Sequence, residues 1–161
     1  EPQPRLSSAP RIMGIDGKAK MSKTRGNSID LEDPPKVVEK KIKSAFTDPL
    51  KLALGDPGRP EICNIFTIHK AASTPEAVAD IDRDCRSGAL PCGECKMRLK
   101  DAMLKDLVPL QEKLIELRAK PQIVHDVLAD GANKARSIAQ STMDQVRSAM
   151  GLGNLAPRSG S

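Results

Sequence analysis

Apolar positions recur along this chain at helical spacing, and their phase resets at short proline- and glycine-rich interruptions. Asp33-Pro34-Pro35 predicts a helix start, with Asp33 as the N-cap and proline in the first turn. Val38, Ile42, Ala45 and Phe46 then fall on one face, and Lys36, Lys40 and Lys43 on another. Thr47-Asp48-Pro49 ends that helix, and Asp56-Pro57-Gly58-Arg59-Pro60 marks a loop. Glu61 to Ala72 predicts a second helix, with Ile62, Ile65, Phe66 and His69 as its buried stripe. Thr74-Pro75 predicts a third start, capped by Thr74 and running to about Cys85, with Gly88 beyond its end. Ala77 occupies the third position, so the full capping box is missing.

Two longer patterns follow. From about Cys92 to Ala119 the series Leu99, Met103, Leu107, Leu110, Leu114, Leu117 alternates steps of four and three, with Pro109 expected to kink the helix. Lys120-Pro121 separates it from a helix over Gln122 to Met150, whose stripe is Val124, Val127, Leu128, Ala135, Ile138, Ala139 and Val146. Gly131 weakens its middle by about 1 kcal/mol relative to Ala. These two are expected to pack as an antiparallel pair. The ends, Glu1 to Pro10 and Gly151 to Ser161, lack periodicity and are expected to be loose. The expected fold class is all-α beyond an amino-terminal loop.

Composition supports that class. Phe46 and Phe66 are the only aromatic residues, so the core must be built from Leu, Ile, Val, Met and Ala, which suits packed helices. With almost no aromatic faces to stack bases on, a single-strand platform of the usual kind is not expected. A formal net charge of +5 is compatible with a polyanionic partner and equally with an ordinary surface. No apolar run approaches the roughly 18 residues of a membrane span, and no secretory signal is present. A cytoplasmic protein without membrane contact is expected. A length of 161 residues and a start at Glu1 lead us to expect one domain, or a piece of a longer protein.

Two clusters carry candidate chemistry. Lys20-Met21-Ser22-Lys23-Thr24 stands between Gly17 and Gly26-Asn27. Two ammonium groups and two hydroxyls on a glycine-flanked loop suit the oxygens of a polyphosphate, although a solvated surface loop would look the same. The four cysteines, Cys63, Cys85, Cys92 and Cys95, follow the spacing C-x21-C-x6-C-x2-C. Two structural disulfides are not expected in a cytosolic chain. The C-x2-C turn is a common two-ligand element, so the set allows zinc, a [4Fe–4S] cluster, or four unrelated buried thiols. His69 and His125 lie on helical patterns and are expected to be packing or surface residues.

Lys20 to Thr24 resembles the KMSKS loop of class I aminoacyl-tRNA synthetases, with Thr24 where Ser is usual. Arg11 to Gly17 and Gly55 to Lys70 resemble the bacterial tryptophanyl-tRNA synthetases, and the likeness runs from about Arg11 to about Leu152. The resemblance implies a tryptophan–tRNA ligase acting through tryptophanyl-adenylate, with ATP and Mg²⁺, tRNA(Trp) and tryptophan as partners. Lys23 would stabilise the departing pyrophosphate and Lys20 would assist it. Ser22 and Thr24 would donate hydrogen bonds, and Ile12, Met13 and Met21 would complete the ATP contacts. A subset of the family holds a [4Fe–4S] cluster on a closely similar four-Cys pattern, whose first interval is one residue longer. That ranks a cluster first, no cofactor second and zinc third.

The same likeness implies residues 1–30 as the end of a catalytic domain, 31–152 as a helical anticodon-binding domain and 153–161 as a flexible tail. Lys36, Lys40 and Lys43 would then be a face for RNA or merely a solvated one. The family's α/β Rossmann-type domain, its HIGH-like motif and its tryptophan pocket would precede Arg11 and are missing here. The chain alone is therefore expected to be inactive and monomeric, within a homodimeric full enzyme. The alternative is a free-standing RNA-binding or iron–sulfur helical module without ligase activity.

Overall fold

A computed structural model describes residues 2–6 and 11–152. Five α-helices make up its regular structure: α1 (Pro35–Ser44), α2 (Asn64–Ala72), α3 (Pro75–Arg86), α4 (Cys92–Ala119) and α5 (Pro121–Ala149). Two short 3-10 turns, Lys23–Arg25 and Pro60–Ile62, complete the helical content. Among the described residues there is no strand, only one isolated antiparallel bridge between Met13 and Lys20. The all-α expectation holds. No helix among the described residues is long and apolar enough to cross a membrane. The tail expected over 153–161 lies outside the described residues.

The chain divides into two units, with the boundary inside α4 after Glu112. The first unit contains the core. Val38 and Ile42 of α1, Ile65, Phe66 and Ile68 of α2, Ile81 of α3 and Leu99 and Leu107 of α4 are all buried in one cluster. The apolar spacing produced this: residues three and four apart share one face, so each helix presents a stripe and the stripes meet. Val38, Ile65 and Leu99 are wholly inaccessible to solvent. Lys96 reaches from α4 to the Lys43 carbonyl at the end of α1 (2.7 Å). Gln111 donates to the carbonyls of Leu31 and Asp33 (2.9 and 3.0 Å), tying α4 to the segment before α1.

Helix starts match the expected chemistry in one case and depart from it in two. Thr74 caps α3, its hydroxyl accepting from the Ala77 amide at 3.3 Å. Pro34, not Asp33, occupies the N-cap of α1. Asp33 turns away to accept from the Asp30 amide (2.8 Å) and the Lys41 ammonium (2.5 Å). Its two partners fix the carboxylate before it can reach the helix. The helix expected from Glu61 is broken as well: Pro60–Ile62 forms a 3-10 turn, Cys63 is extended, and α2 begins at Asn64. Tightening that turn rotates Ile62 out of the stripe, and it is 44% exposed.

The loop between α1 and α2 reverses the usual polarity of burial. Lys51 is buried while Leu50, Leu52 and Leu54 are exposed. The Lys51 ammonium donates to the Asp56 carbonyl (2.7 Å) and the Cys85 carbonyl (3.3 Å) at the end of α3. A cation there is paired with one loop carbonyl and with the negative, carboxy-terminal end of α3. Asp48 is buried beside it and accepts from the Leu50 amide and from the Arg59 amide, Nε and Nη2. The Arg59 guanidinium, followed by the two amides, holds its carboxyl well below the usual carboxylate range.

In the second unit α5 has no buried residue. Val124, Val127, Leu128, Ile138 and Val146 are all exposed. The stripe is in the expected register, but the expected burial against a partner helix is not found.

Candidate functional site

The Lys20–Thr24 segment is held in a hairpin that begins at Ile12. Met21 donates to the Ile12 carbonyl (2.9 Å), Gly14 donates to the Ala19 carbonyl (2.8 Å), and Met13 lies opposite Lys20. The turn closes through Gly17, whose φ of +66° is open to glycine and strained for other residues. A Cβ at Gly17 would also stand 2.8 Å from the Phe46 ring. Phe46, expected to face the core, is 41% exposed and packs here instead. Its amide donates to the Ile15 carbonyl (2.8 Å), which anchors the hairpin to the end of α1.

Beyond the hairpin Ser22 is extended and Lys23–Arg25 forms the 3-10 turn, closed by Gly26 at φ +65°. The Ser22 and Thr24 hydroxyls hydrogen-bond each other at 2.9 Å. Lys20 and Lys23 are exposed, and neither side chain has a partner among the described residues. Ile12, Met13, Met21 and Ser22 are half-buried. Every residue expected at an ATP site from the sequence therefore belongs to this one hairpin and the turn after it. Two exposed ammonium groups, one on the hairpin and one on the turn after it, can bind a polyanion.

Asn27 was no candidate from the sequence. It is 3% exposed, and its carboxamide bridges both sides of the loop. A polar residue after a glycine gives no periodic signal, so nothing in the pattern marks it as interior.

The four cysteines gather where α2, α3 and α4 meet the loops that join them. Cys63 immediately precedes α2, Cys85 lies in the last turn of α3, Cys92 opens α4 and Cys95 follows one turn later. Cys63 and Cys95 are buried, Cys85 and Cys92 half-buried, and all four are free thiols. Burial pushes the Cys85 and Cys92 thiols up, with Lys51 opposing and Cys63 reinforcing the shift. Cys95 is pushed up to about 12, by burial first and then by the other three cysteines. A Cβ at Gly58 would stand 2.5 Å from Cys85 Sγ, so the chain passes close over this thiol because glycine is there. Among the described residues no group of three or more His, Cys, Asp or Glu side chains is arranged to hold a metal ion.

His69 sits against this region, fully buried. Nε2 is 3.1 Å from the Cys95 carbonyl, which can only accept, so Nε2 carries the proton and Nδ1 accepts from the Ser73 hydroxyl at 2.8 Å. Burial lowers its pKa and keeps the ring neutral. His69 is thus a packing residue, as expected, and His125 is exposed on α5.

A loop of this construction attached to an all-helical unit defines a class, and comparison with known proteins identifies it. The family model described as tRNA synthetases class I (W and Y) matches residues 2–107. The chain belongs to that family of class I tRNA synthetases. It is 44% identical over 153 residues to the tryptophan–tRNA ligase of Aquifex aeolicus, covering 94% of this chain and 38% of that protein. The corresponding figures for the Thermotoga maritima tryptophan–tRNA ligase are 37% identity, 94% and 46%. Among solved structures, tryptophanyl-tRNA synthetase from Campylobacter jejuni, complexed with ADP and tryptophan, superposes with a TM-score of 0.74 at 35% identity. That match covers 88% of this chain and 43% of the Campylobacter chain. The chain thus spans less than half the length of these relatives.

Proposed function

We propose that this chain is the carboxy-terminal part of a tryptophan–tRNA ligase, supplying the mobile ATP loop and a helical tRNA-binding unit. The observation that carries this reading is the hairpin that presents Lys20 and Lys23 unpaired beside Ile12 and Met13. In the reaction the tryptophan carboxylate attacks the α-phosphorus of ATP, forming tryptophanyl-adenylate and releasing pyrophosphate. A hydroxyl of the tRNA terminus then attacks the adenylate carbonyl, and AMP leaves. Negative charge grows on the departing pyrophosphate, and Lys23, seconded by Lys20, is the group suited to stabilise it. Ser22 and Thr24 would add neutral donors, and Mg²⁺ would arrive on the nucleotide phosphates.

The exposed Lys36 and Lys40 of α1 would meet tRNA phosphates. Residues 1–30 would close a catalytic domain, with the Rossmann-type sheet and the tryptophan pocket upstream. Dimer formation and a cytoplasmic site of action go with the intact enzyme. No observation favours a free-standing module. Tryptophan-dependent ATP–pyrophosphate exchange tests the reading. Exchange is expected from the chain joined to its upstream domain and none from residues 1–161 alone. Robust exchange by the isolated chain, or none by the joined protein, would defeat it.

We further propose that Cys63, Cys85, Cys92 and Cys95 hold a [4Fe–4S] cluster. The donor set is all sulfur, which suits both iron–sulfur clusters and zinc. A single zinc ion needs its ligands converging on one point at about 2.3 Å. Ligands of a cluster each bind a different iron of one cuboid, and the four thiols here lie at the adjoining ends of α2, α3 and α4. Bound there, the cluster would act as a structural pin joining the ends of α2, α3 and α4. Protein purified without oxygen is expected to contain iron and acid-labile sulfide in equal amounts, lost in Cys92→Ser. Zinc, or no metal at all, would refute the cluster.

A further inference from the structure

The Lys20–Thr24 segment has little of its own to hold it. Its side chains are mostly polar and exposed, and Lys23–Arg25 buries none of them. What lies beneath it is the carboxamide of Asn27. Asn27 Oδ1 accepts from the Ser22 amide at 2.9 Å. Asn27 Nδ2 lies 3.2 Å from Asp16 Oδ1 and 3.4 Å from the Lys20 carbonyl, donating toward both. The Asn27 carbonyl accepts from the Ile15 amide at 2.9 Å. One residue therefore grips the main chain on both sides of Met21, at the first lysine and immediately before the second.

Only a carboxamide can do this, because it accepts at one end and donates at the other. A carboxylate would lose the donor, and an aliphatic side chain would lose both. The space was also cleared for it. Gly14 lies so close that a Cβ there would collide with the Asn27 carboxamide. Asn27 is 97% buried in an otherwise solvated loop, and burying an amide of this kind is costly unless its hydrogen bonds are made.

We propose that Asn27 is a positioning residue for amino-acid activation. It touches no substrate; it fixes the main chain of Lys20 and Ser22 so that the Lys20 and Lys23 ammonium groups are presented together to the nucleotide phosphates. The proposal rests on the ligase reading above.

Amide hydrogen exchange on the chain itself gives the first test. In Asn27→Ala the Ser22 amide is expected to exchange at least about tenfold faster, with protection in α1 to α4 unchanged. Ser28→Ala removes a neighbouring buried hydroxyl, bonded to Asp30 at 2.9 Å, and is expected to leave Ser22 protected. Asn27→Asp replaces the donor with a carboxylate oxygen facing Asp16 Oδ1 and the Lys20 carbonyl, so Ser22 protection is expected to fall in it too, which covers the case in which the alanine variant fails to fold.

In the intact enzyme, Asn27→Ala is expected to lower kcat for tryptophan-dependent pyrophosphate exchange about tenfold, with KM for tryptophan unchanged. An unaltered Ser22 amide overturns the proposal. So does full activity in Asn27→Ala when Lys23→Ala is inactive, and in that case the ligase reading stands. Full activity in both variants removes the ligase role of the loop and the proposal with it.

Discussion

Lys23→Ala is expected to slow tryptophan activation by about 10²–10³-fold, the range seen when one preorganised stabilising group is removed from a developing oxyanion. Lys23 opens an exposed 3-10 turn and has no protein carboxylate to neutralise it among the described residues. On the ligase reading proposed above, its charge would be free to meet the pyrophosphate as that group departs. Removing an exposed, unpaired side chain should leave the thermal midpoint where it was, so the loss would be in kcat and not in folding. Lys23→Arg keeps the charge but replaces a compact ammonium with a planar fork, and should recover only part of the rate. Pyrophosphate exchange and single-turnover transfer from preformed adenylate, measured on the intact enzyme, separate the steps. Exchange should fall and transfer should be spared. A variant that activates tryptophan normally but binds tRNA poorly would favour the RNA-binding module instead.

Leu99→Ala should cost about 2–5 kcal/mol of folding stability, through lost burial and the cavity left behind. Leu99 lies on α4 at the centre of the cluster shared by α1, α2, α3 and α4, and none of its surface is exposed. Domains of this kind are stable by only about 5–15 kcal/mol, so the change removes a large share of the total. Urea denaturation of the chain would show it as a lower midpoint at constant slope. Val127→Ala on α5 is the contrast: that residue is 67% exposed, and its truncation should shift stability by no more than about 0.5 kcal/mol. Equal losses at both positions would contradict the division between a packed unit and a helix without buried residues.

The two predictions rest on different parts of the molecule that a few contacts join. Asn64, the first residue of α2 and the neighbour of Cys63, donates to the Gly14 carbonyl at 2.6 Å. Its Oδ1 is buried and has no hydrogen-bond partner among the described residues. Phe46 at the end of α1 holds the Gly17 turn. The cationic hairpin is thus mounted on the end of α1 and the start of α2, and α2 begins immediately after Cys63.

Much of this was legible along the chain because helices are local. The 3.6-residue period of Val38, Ile42, Ile65 and Leu99 places each side chain on one face without reference to anything distant. Thr74 followed by Pro75 marks a helix start through contacts within one turn. The motif from Lys20 to Thr24 is likewise contiguous, so its chemistry could be read directly. Local reasoning fails where a residue has a second partner far away. Asp33 forgoes its cap for Lys41, Phe46 leaves the core for Gly17, and Ile62 is turned outward by the 3-10 turn before Cys63.

The sequence by itself thus determined the helices, their inward faces, the cationic loop and the family to which they belong. Tertiary structure alone decided that Lys51 goes inside while three leucines beside it stay out, because its ammonium there reaches the Asp56 carbonyl and, at the end of α3, the Cys85 carbonyl. It likewise decided that Asn27 is interior, that Asp48 is locked by Arg59, and that four cysteines spread over 33 positions come together. Periodicity encodes which way a side chain faces, whereas pairing between distant polar groups is fixed only when the helices pack.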